Sequence, residues 1–213
     1  METILDHILE NPVLPVYYND DPETCIRVVE ACYLGGIRVF EFVNRGEKAL
    51  QNFKILKTYA EEHLPELTLG IGTIKSAEWA KKFIDAGAQL IVSPIVKAEI
   101  AQVTLDKGIL WIPGCMTPTE ISLAEDLGAP LIKLFPGDSL GTGFLKSIKP
   151  LFPRLKFMPT GGVSPERDSI RRWFDAGVSA VGLGSKLFDK PANAENYDWL
   201  SERSRTCLLH ASI

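Results

Sequence analysis

The sequence predicts an α/β protein of the (β/α)8 TIM-barrel class with an additional N-terminal helix. The first observation is a recurring phrase in which a helical stretch, a glycine-containing turn and an apolar run follow one another. Its copies occupy 31–43, 83–94, 124–136 and 173–185. Successive copies are 41 to 52 residues apart, about twice the length of one helix-plus-strand unit, so a second unit fits between each pair.

The second observation is that the intervening segments supply the missing strands. Short apolar runs lie between the copies at 67–73, 108–114 and 155–161, and 14–18 adds one more at the front. Strands that are apolar throughout and alternate with helices indicate a parallel sheet covered by helices. Eight such units close into a barrel. A doubly wound open sheet is the alternative architecture.

Each strand is followed by a segment with a helical pattern. These segments are 22–34, 46–63, 76–85, 97–106, 117–127, 141–149, 165–176 and 186 onward. Two of them begin with a capping residue before proline, at Thr117-Pro118 and Ser164-Pro165, which predicts proline at the first helical position.

Glycines are expected to end the helices, because a left-handed residue turns the chain into the next strand. The glycines at these places are Gly35, Gly87, Gly128 and Gly177. Residues 1–12 are predicted to form an extra helix covering the bottom of the barrel, and 190–213 the last helix with a tail. The whole chain, 1–213, is thus expected to be one barrel domain.

Composition excludes several classes of function. Apolar residues make up 46% and charged residues 23%, and the net charge of −4 comes without any basic block. No nucleic-acid or membrane-surface partner is therefore predicted. The start of the chain lacks the order of a signal peptide, and no apolar run approaches the ~20 residues of a bilayer span. We expect a cytoplasmic protein whose four cysteines are reduced.

Lys133 is the first candidate for chemistry. It lies within the apolar run 131–136, and strand alternation places it on the face that points into the barrel. Active sites of parallel barrels lie at the C-terminal ends of their strands, where this run ends. Burial lowers the pKa of a lysine by up to ~3–5 units, and Schiff-base chemistry requires a neutral amine. The alternatives are a lysine paired with a buried carboxylate, or one that reaches solvent.

Glu41 is the predicted partner of Lys133. It shares a strand face with Val39 and Val43, so it too should project inward. Apolar surroundings raise the pKa of a carboxyl group, which suits a group that both takes and gives protons. The alternative is a purely structural counter-ion, and the two roles are compatible.

Other polar residues interrupt the strands near their ends. Arg45 could grip a carboxylate or phosphate with two hydrogen bonds, or be a solvated loop residue. The segment 70–73 brings two glycines and the Thr73 hydroxyl, and its glycines could let backbone N–H groups approach a ligand. The segments 160–164 and 182–185 carry glycine pairs after the seventh and eighth strands. Barrels often bind phosphate with these two loops.

Metal and nucleotide sites are not predicted. His7, His63 and His210 lie on predicted helices or termini and share no ligand spacing. Cys115 has no histidine placed to activate it, so a packed thiol is expected. No Walker loop and no dinucleotide-binding glycine motif followed by an acidic residue is present.

Together these motifs resemble one known family. The chain is similar over nearly its whole length to the 2-keto-3-deoxy-6-phosphogluconate / 4-hydroxy-2-oxoglutarate (KDPG/KHG) aldolases, which are class I aldolases. The matching motifs are G-G-I-R-V-F-E-x-x-x-R (35–45), G-x-G-T (70–73), I-V-S-P (91–94), I-P-G-x-x-T-P-T-E (112–120), K-L-F-P-G (133–137), P-T-G-G-V (159–163) and G-x-G-S (182–185).

The resemblance implies a reaction and roles for the residues. Lys133 would form an iminium with the substrate ketone, Glu41 would shuttle protons, and C3–C4 cleavage would release pyruvate. The remaining matches are to residues that bind the pyruvyl end (Arg45, Thr73), wall the pocket (Pro94, Phe135), contact the substrate (Thr160) and cradle phosphate (Gly161, Gly162, Gly184, Ser185). No metal or organic cofactor is implied. The implied partners are a 2-keto-3-deoxy sugar acid phosphate, pyruvate and two further copies in a homotrimer.

The reaction so implied is cleavage of KDPG to pyruvate and glyceraldehyde 3-phosphate, and of 4-hydroxy-2-oxoglutarate to pyruvate and glyoxylate. The chain departs from the family's common E-x-T-x-R pattern, because Val43 and Asn44 fill the interior of that motif. This departure leaves the substrate open. An aldolase for the 6-phosphogalactonate epimer and a non-catalytic sugar-phosphate-binding barrel are the alternatives.

Overall fold

Eight parallel strands form a ring in the computed structural model, which describes residues 3–212. The strands are β1 (Val13–Tyr17), β2 (Val39–Val43), β3 (Thr68–Gly72), β4 (Leu90–Ser93), β5 (Leu110–Cys115), β6 (Leu131–Leu134), β7 (Lys156–Pro159) and β8 (Val181–Leu183). Each strand from β1 to β6 pairs with the next one along the chain, and β8 pairs back with β1. The predicted (β/α)8 barrel is confirmed.

The ring closes between β7 and β8 with little regular pairing. Thr160 and Gly182 form an isolated parallel bridge there, and the Ser179 N–H donates to the Phe157 carbonyl oxygen at 2.9 Å. An added Cβ on Gly182 would overlap the Thr160 hydroxyl. The two strands can therefore approach only because residue 182 has no side chain.

Helices alternate with the strands and cover the outside of the ring. They are α1 (Ile4–Glu10), α2 (Pro22–Leu34), α3 (Ala49–His63), α4 (Ala77–Asp85), α5 (Ala98–Asp106), α6 (Pro118–Asp126), α7 (Gly137–Ile148), α8 (Arg167–Asp175) and α9 (Asp198–Ala211). The N-terminal helix was predicted over 1–12, of which Met1 and Glu2 lie outside the described residues. No helix among residues 3–212 combines the length and apolar character needed to cross a membrane.

The core has two layers separated by the strands. The inner layer fills the barrel with side chains from alternate strand positions, and Ile8 of α1 closes it from below. Its members are Ile8, Leu14, Val39, Leu90, Val92, Ile112, Leu131, Met158 and Ala180. The outer layer lies between strands and helices, where the Phe53 ring lies 6.3 Å from Phe42 and 5.4 Å from Phe83. This division explains why the strands are apolar on both faces.

Thr117 caps a helix as predicted, but Ser164 does not. The Thr117 hydroxyl accepts from the Glu120 N–H, and the Glu120 carboxylate accepts from the Thr117 N–H in return. At the second predicted cap the helix begins later: α8 starts at Arg167 after Glu166, and the Ser164 N–H donates to the Ser169 hydroxyl instead. Ser164-Pro165 is therefore a weak predictor of the helix start, because the chain completes a turn before α8 begins.

The prediction that Gly35 is left-handed was wrong, because its neighbour takes that conformation. Gly36 has φ +100°, whereas Gly35 has φ −75°. Gly35 is needed for another reason: an added Cβ would overlap the Ser201 carbonyl oxygen of α9. Gly87, Gly128 and Gly177 do take positive φ values of 92°, 87° and 98°.

Two helices begin elsewhere than expected. The helix predicted at 141–149 starts at Gly137 and is kinked at Gly141, which has φ +70°. The segment predicted as helical from 186 onward first makes a 3-10 turn over Ser185–Phe188, and α9 begins only at Asp198. The turn keeps residues 185 and 186 at the end of β8, beside the mouth of the barrel.

Candidate active site

Lys133 and Glu41 meet in the centre of the barrel. They come from β6 and β2, which lie four strands apart in a ring of eight and hence on opposite sides. The Lys133 Nζ lies 3.1 Å from Oε1 and 3.2 Å from Oε2 of Glu41. Lys133 is 6% exposed and Glu41 1% exposed. Both side chains point inward, as strand alternation predicts, and the carboxylate is placed to exchange a proton with the amine.

Glycines on the neighbouring strands allow close packing at and around this pair. Gly72 of β3 lies beside Val43 in register, and an added Cβ there would overlap the Glu41 carboxylate. Gly114 of β5 is the register partner of Lys133, and an added Cβ would lie 2.7 Å from the Pro94 carbonyl oxygen. Gly70 makes space for Leu90 in the same way. The glycines of 70–73 were predicted to admit a ligand, but Gly70 and Gly72 admit protein side chains.

A cavity of about 320 Å³ opens above the pair at the C-terminal ends of the strands. It is lined by all eleven residues that the sequence singled out: Lys133, Glu41, Arg45, Thr73, Pro94, Phe135, Thr160, Gly161, Gly162, Gly184 and Ser185. A larger apolar groove of about 600 Å³ lies at the opposite end, beside α1, and no charged side chain is among the described residues that line it. The upper cavity is therefore the one equipped for chemistry.

One wall of the cavity combines bare backbone with an unsatisfied hydroxyl. Gly161 and Gly162 have φ values of 97° and 73°, a conformation that side chains rarely adopt. The 3-10 turn that begins at Ser185 lies beside them. The Thr160 hydroxyl is buried and finds no hydrogen-bond partner among the residues described. The glycine backbone of this wall can approach a ligand closely, whereas the Thr160 hydroxyl is enclosed beside Gly182.

The opposite wall carries Arg45 and Thr73. Arg45 is exposed at the end of β2, and its backbone N–H donates to the Val43 carbonyl oxygen at 2.8 Å. Thr73 has φ +61° and is the one non-glycine residue with positive φ in the described chain. Such a conformation is unusual for a β-branched residue and stores strain. Phe135 lies beside the amine, with its ring centroid 5.6 Å from the Lys133 Nζ.

Six lining residues were not predicted from the sequence. They are Val16, Tyr17, Tyr18, Val43, Val163 and Lys186. Tyr17 ends β1 and Tyr18 directly follows it, so the rule that polar residues at strand ends belong to the site would have found them. Burial raises the pKa of Tyr18 to about 12, with help from the hydrogen bond that its hydroxyl donates to Asp20. Both phenols are therefore neutral hydrogen-bonding groups at ordinary pH.

The residues considered for other chemistry are placed elsewhere or are inert. His7 Nδ1 lies 2.8 Å from the Thr68 hydroxyl below the barrel, and His210 Nδ1 lies 3.1 Å from the Pro165 carbonyl oxygen. Burial raises the pKa of the Cys115 thiol to about 12, as expected of a packed thiol. Within residues 3–212, His, Cys, Asp and Glu side chains form no group of three that could hold a metal ion.

The comparison with known families decides which family this site belongs to. A model described as "KDPG and KHG aldolase" matches residues 4–202. The chain belongs to this aldolase family. Membership makes it an enzyme of the aldehyde-lyase class, and the predicted family resemblance is confirmed.

Individual relatives agree with this aldolase assignment. The KHG/KDPG aldolase of Escherichia coli K12 is 32% identical over 206 residues, covering 95% of this chain and 93% of the relative. The 2-dehydro-3-deoxy-6-phosphogalactonate aldolase of the same organism is 29% identical over 179 residues, covering 83% and 84%. The KDPG aldolase of Legionella pneumophila was solved with pyruvate captured at low pH as a covalent carbinolamine intermediate. That structure superposes on this chain with a TM-score of 0.83 and 27% sequence identity. The match covers 95% of this chain and 96% of the Legionella chain.

Proposed function

We propose that this protein cleaves KDPG to pyruvate and glyceraldehyde 3-phosphate through a Schiff base on Lys133. It also cleaves 4-hydroxy-2-oxoglutarate to pyruvate and glyoxylate. One observation carries the proposal: a buried amine lies 3.1 Å from a buried carboxylate, under a cavity open to ligands. The relatives that are named KDPG and KHG/KDPG aldolases support the substrate.

The reaction begins with transfer of a proton from the Lys133 ammonium to Glu41. The neutral Nζ attacks the C2 ketone of the substrate and forms a carbinolamine. Glu41 returns a proton to the carbinolamine hydroxyl, which leaves as water, and an iminium remains. Because both oxygens of Glu41 lie within hydrogen-bond distance of Nζ, the carboxylate can serve both proton transfers.

The iminium then accepts the electrons of the C3–C4 bond as that bond breaks. The C4 hydroxyl loses its proton to Glu41 through a water molecule and becomes the aldehyde product. Glu41 gives this proton to C3 of the resulting enamine, and addition of water to the iminium so formed releases pyruvate and the free amine. No metal or organic cofactor takes part in these steps.

The remaining cavity residues bind and orient the substrate. Arg45 and Thr73 hold the carboxylate and neighbouring oxygens of the pyruvyl end. Pro94 and Phe135 form apolar walls beside the amine, and Thr160 contacts the substrate. At the far end Gly161, Gly162, Gly184 and Ser185 cradle the phosphate with backbone N–H groups and a hydroxyl.

A purely structural ion pair explains these observations less well. Replacing a buried ion pair with apolar residues of similar volume is often neutral or stabilising. A barrel lined by Leu131, Met158 and Val39 could be closed by another apolar layer at the level of Lys133. Stability alone therefore does not account for a charged pair beneath an open cavity, whereas a reaction at the amine requires both.

The proposal is tested by trapping the Schiff base. The protein is incubated with pyruvate and sodium borohydride, and the added mass is located by peptide mass spectrometry. We expect one label, on Lys133. Lys133→Ala should show neither labelling nor turnover, whereas the control Lys81→Ala, at an exposed position on α4, should show both. Labelling of another lysine, or of none, would contradict the mechanism.

A second variant tests the role of Glu41. Glu41→Gln should lower turnover roughly a hundredfold to ten-thousandfold, the usual contribution of general acid–base catalysis. Some trapping should persist, because the amine remains. Turnover at the wild-type rate would remove Glu41 from the mechanism.

Two alternative functions can be distinguished by assays of the wild-type protein. The galactonate-epimer aldolase among its relatives makes the 6-phosphogalactonate epimer the second candidate substrate. Cleavage rates with the two phosphorylated epimers distinguish these, and we expect the gluconate epimer to react faster. A non-catalytic sugar-phosphate-binding barrel would bind both and cleave neither.

The same proposal extends to assembly and location. The enzyme acts as a single-domain subunit of a cytoplasmic homotrimer in carbohydrate metabolism of the Entner–Doudoroff type. Exposed apolar side chains at the mouth, Ile95 after β4 and Met116 after the neighbouring β5, support contact between copies. Light scattering during size-exclusion chromatography should give three times the mass of the 23.5 kDa chain.

A further inference from the structure

Lys186 lies at the phosphate end of the cavity. It is the second residue of the 3-10 turn Ser185–Phe188, which follows β8. It lines the cavity together with Gly161, Gly162 and Gly184. An added Cβ on Gly184 would meet no atom within 4 Å, so the space in front of this loop is open. Lys186 thus brings a full positive charge to a wall that otherwise offers backbone groups and a hydroxyl.

The charge of Lys186 has no ion-pair partner in the described part of the chain. Four charged side chains line the cavity, and two of them, Lys133 and Glu41, pair with each other. The two that remain are Lys186 and Arg45, both cations, neither of which forms an ion pair within residues 3–212. A protein of net charge −4 therefore keeps a locally positive cavity.

The backbone that carries Lys186 is held firmly from below. Arg203 of α9 donates to the carbonyl oxygens of Leu187 and Asp189, each at 2.8 Å. Leu187 is fully buried, and the Phe188 ring lies 4.6 Å from Tyr17. These contacts fix the C-terminal half of the turn, directly after Lys186, in a structure that contains no ligand.

Glu166 is an acid near Lys186, but the two do not form an ion pair. The hydrogen bond from Ser164 lowers the pKa of Glu166 most, with smaller contributions from Lys186 and Arg203. Because no ion pair joins Lys186 to Glu166 within residues 3–212, the Lys186 ammonium can meet an anion in the cavity.

We infer that Lys186 is the residue that makes the site prefer substrates with a second anionic group, a phosphate, at the end remote from the ketone. This inference rests on the proposed function. The Arg45 and Lys186 cations follow β2 and β8, on either side of β1, and they match a substrate with a carboxylate at one end and a phosphate at the other. Backbone N–H groups can bind either an anion or a neutral hydroxyl. The full positive charge of Lys186 favours a phosphate dianion over a neutral hydroxyl.

The inference is tested with two substrates that differ only in the phosphate. The specificity constant kcat/KM is measured for KDPG and for its non-phosphorylated analogue, 2-keto-3-deoxygluconate. In Lys186→Met the ratio of the two constants should fall roughly five- to thirtyfold, the size expected for a partly exposed charged hydrogen bond. Lys186→Arg should retain most of the preference. Lys190→Met, four residues further along the same loop and outside the cavity, is the control and should keep the wild-type ratio.

Salt dependence provides a second readout that a structural defect would not move. Raising the ionic strength should lower kcat/KM for KDPG more steeply in the wild type than in Lys186→Met, because salt screens the exposed charge. Equal ratios and equal salt dependence in the two proteins would overturn the inference and leave the aldolase mechanism standing. If the wild type cleaved neither substrate and pyruvate with borohydride left Lys133 unlabelled, the proposed function would fail and the inference with it.

Discussion

Lys133 and Glu41 show what a buried charged group requires of a single position. Leaving either charge alone in the interior would cost about 3–5 kcal/mol, so each depends on the other. Alternation along the strands is enough to predict from sequence that both side chains point inward. The space that Glu41 occupies could not be predicted, because it depends on the register that sets Gly72 beside Val43. That register is a long-range property of the pairing between β2 and β3.

Thr73 combines an unusual backbone conformation with a place in the lining of the cavity. Its φ of +61° should cost about 1–2 kcal/mol relative to a residue that tolerates this conformation. Thr73→Gly removes the strain but loses about 0.5–1 kcal/mol through the greater freedom of glycine in the unfolded chain. We expect the free energy of unfolding in urea to stay level or rise by about 1 kcal/mol. KM for KDPG should rise roughly two- to tenfold, because one hydrogen bond is lost.

Thr73→Ser serves as the control for this prediction. It keeps the hydroxyl, so it should retain most of the affinity. A fall of more than about 1 kcal/mol in the stability of Thr73→Gly would mean that the threonine is not strained in the folded protein.

At the scale of elements, the sequence locates the glycines between helices and strands but does not show which structural role each one has. The repeated helix–glycine–strand phrase correctly predicts eight units, because a parallel barrel needs a turn after each helix. It does not distinguish a glycine needed for its φ from one needed for close approach. Gly35 and Gly36 are adjacent, and only the packing of α2 against α9 decides which serves which purpose. Lys186 was missed for a similar reason, since a continuous helix was expected where the chain makes a 3-10 turn.

Gly35→Ala tests the contact between α2 and α9. The new methyl group would lie 2.6 Å from the Ser204 Cβ and overlap the Ser201 carbonyl oxygen, so one helix must move. We expect a loss of about 1–3 kcal/mol in the free energy of unfolding, the usual cost of overpacking. Gly143→Ala is the matched control: it lies within α7 with no atom near its added Cβ, and it should gain about 0.5–1 kcal/mol. An unchanged stability in Gly35→Ala would show that the helices are free to separate.

At the scale of the whole molecule, the two-layer core encloses all four cysteines. Burial raises the pKa of Cys25 to about 11 and those of Cys32, Cys115 and Cys207 to about 12. The folded protein keeps these protons to a higher pH than the unfolded chain does. The sequence could predict reduced thiols, but their placement in the outer layer depends on how the helices pack.

Thiol titration and alkaline stability test this enclosure together. At pH 8 a thiol-specific reagent should label the native protein far more slowly than the unfolded chain, in which four thiols react. Stability should fall as pH rises above about 9, the ordinary thiol value, because only the unfolded state then releases these protons. The fall should continue toward pH 11–12. Rapid labelling of the native protein, or a flat profile between pH 9 and 11, would contradict the enclosure.

The contact between β2 and β6 links segments that are 92 residues apart in the chain. Neither half of the barrel contains the whole Lys133–Glu41 pair, because one half contributes the carboxylate and the other the amine. A partly assembled molecule can have all its helices and still lack this pair, on which the proposed mechanism depends. Recovery of enzymatic turnover after dilution from denaturant would therefore report closure of the barrel. Far-ultraviolet circular dichroism, which mainly reports helix content, would hardly detect this step.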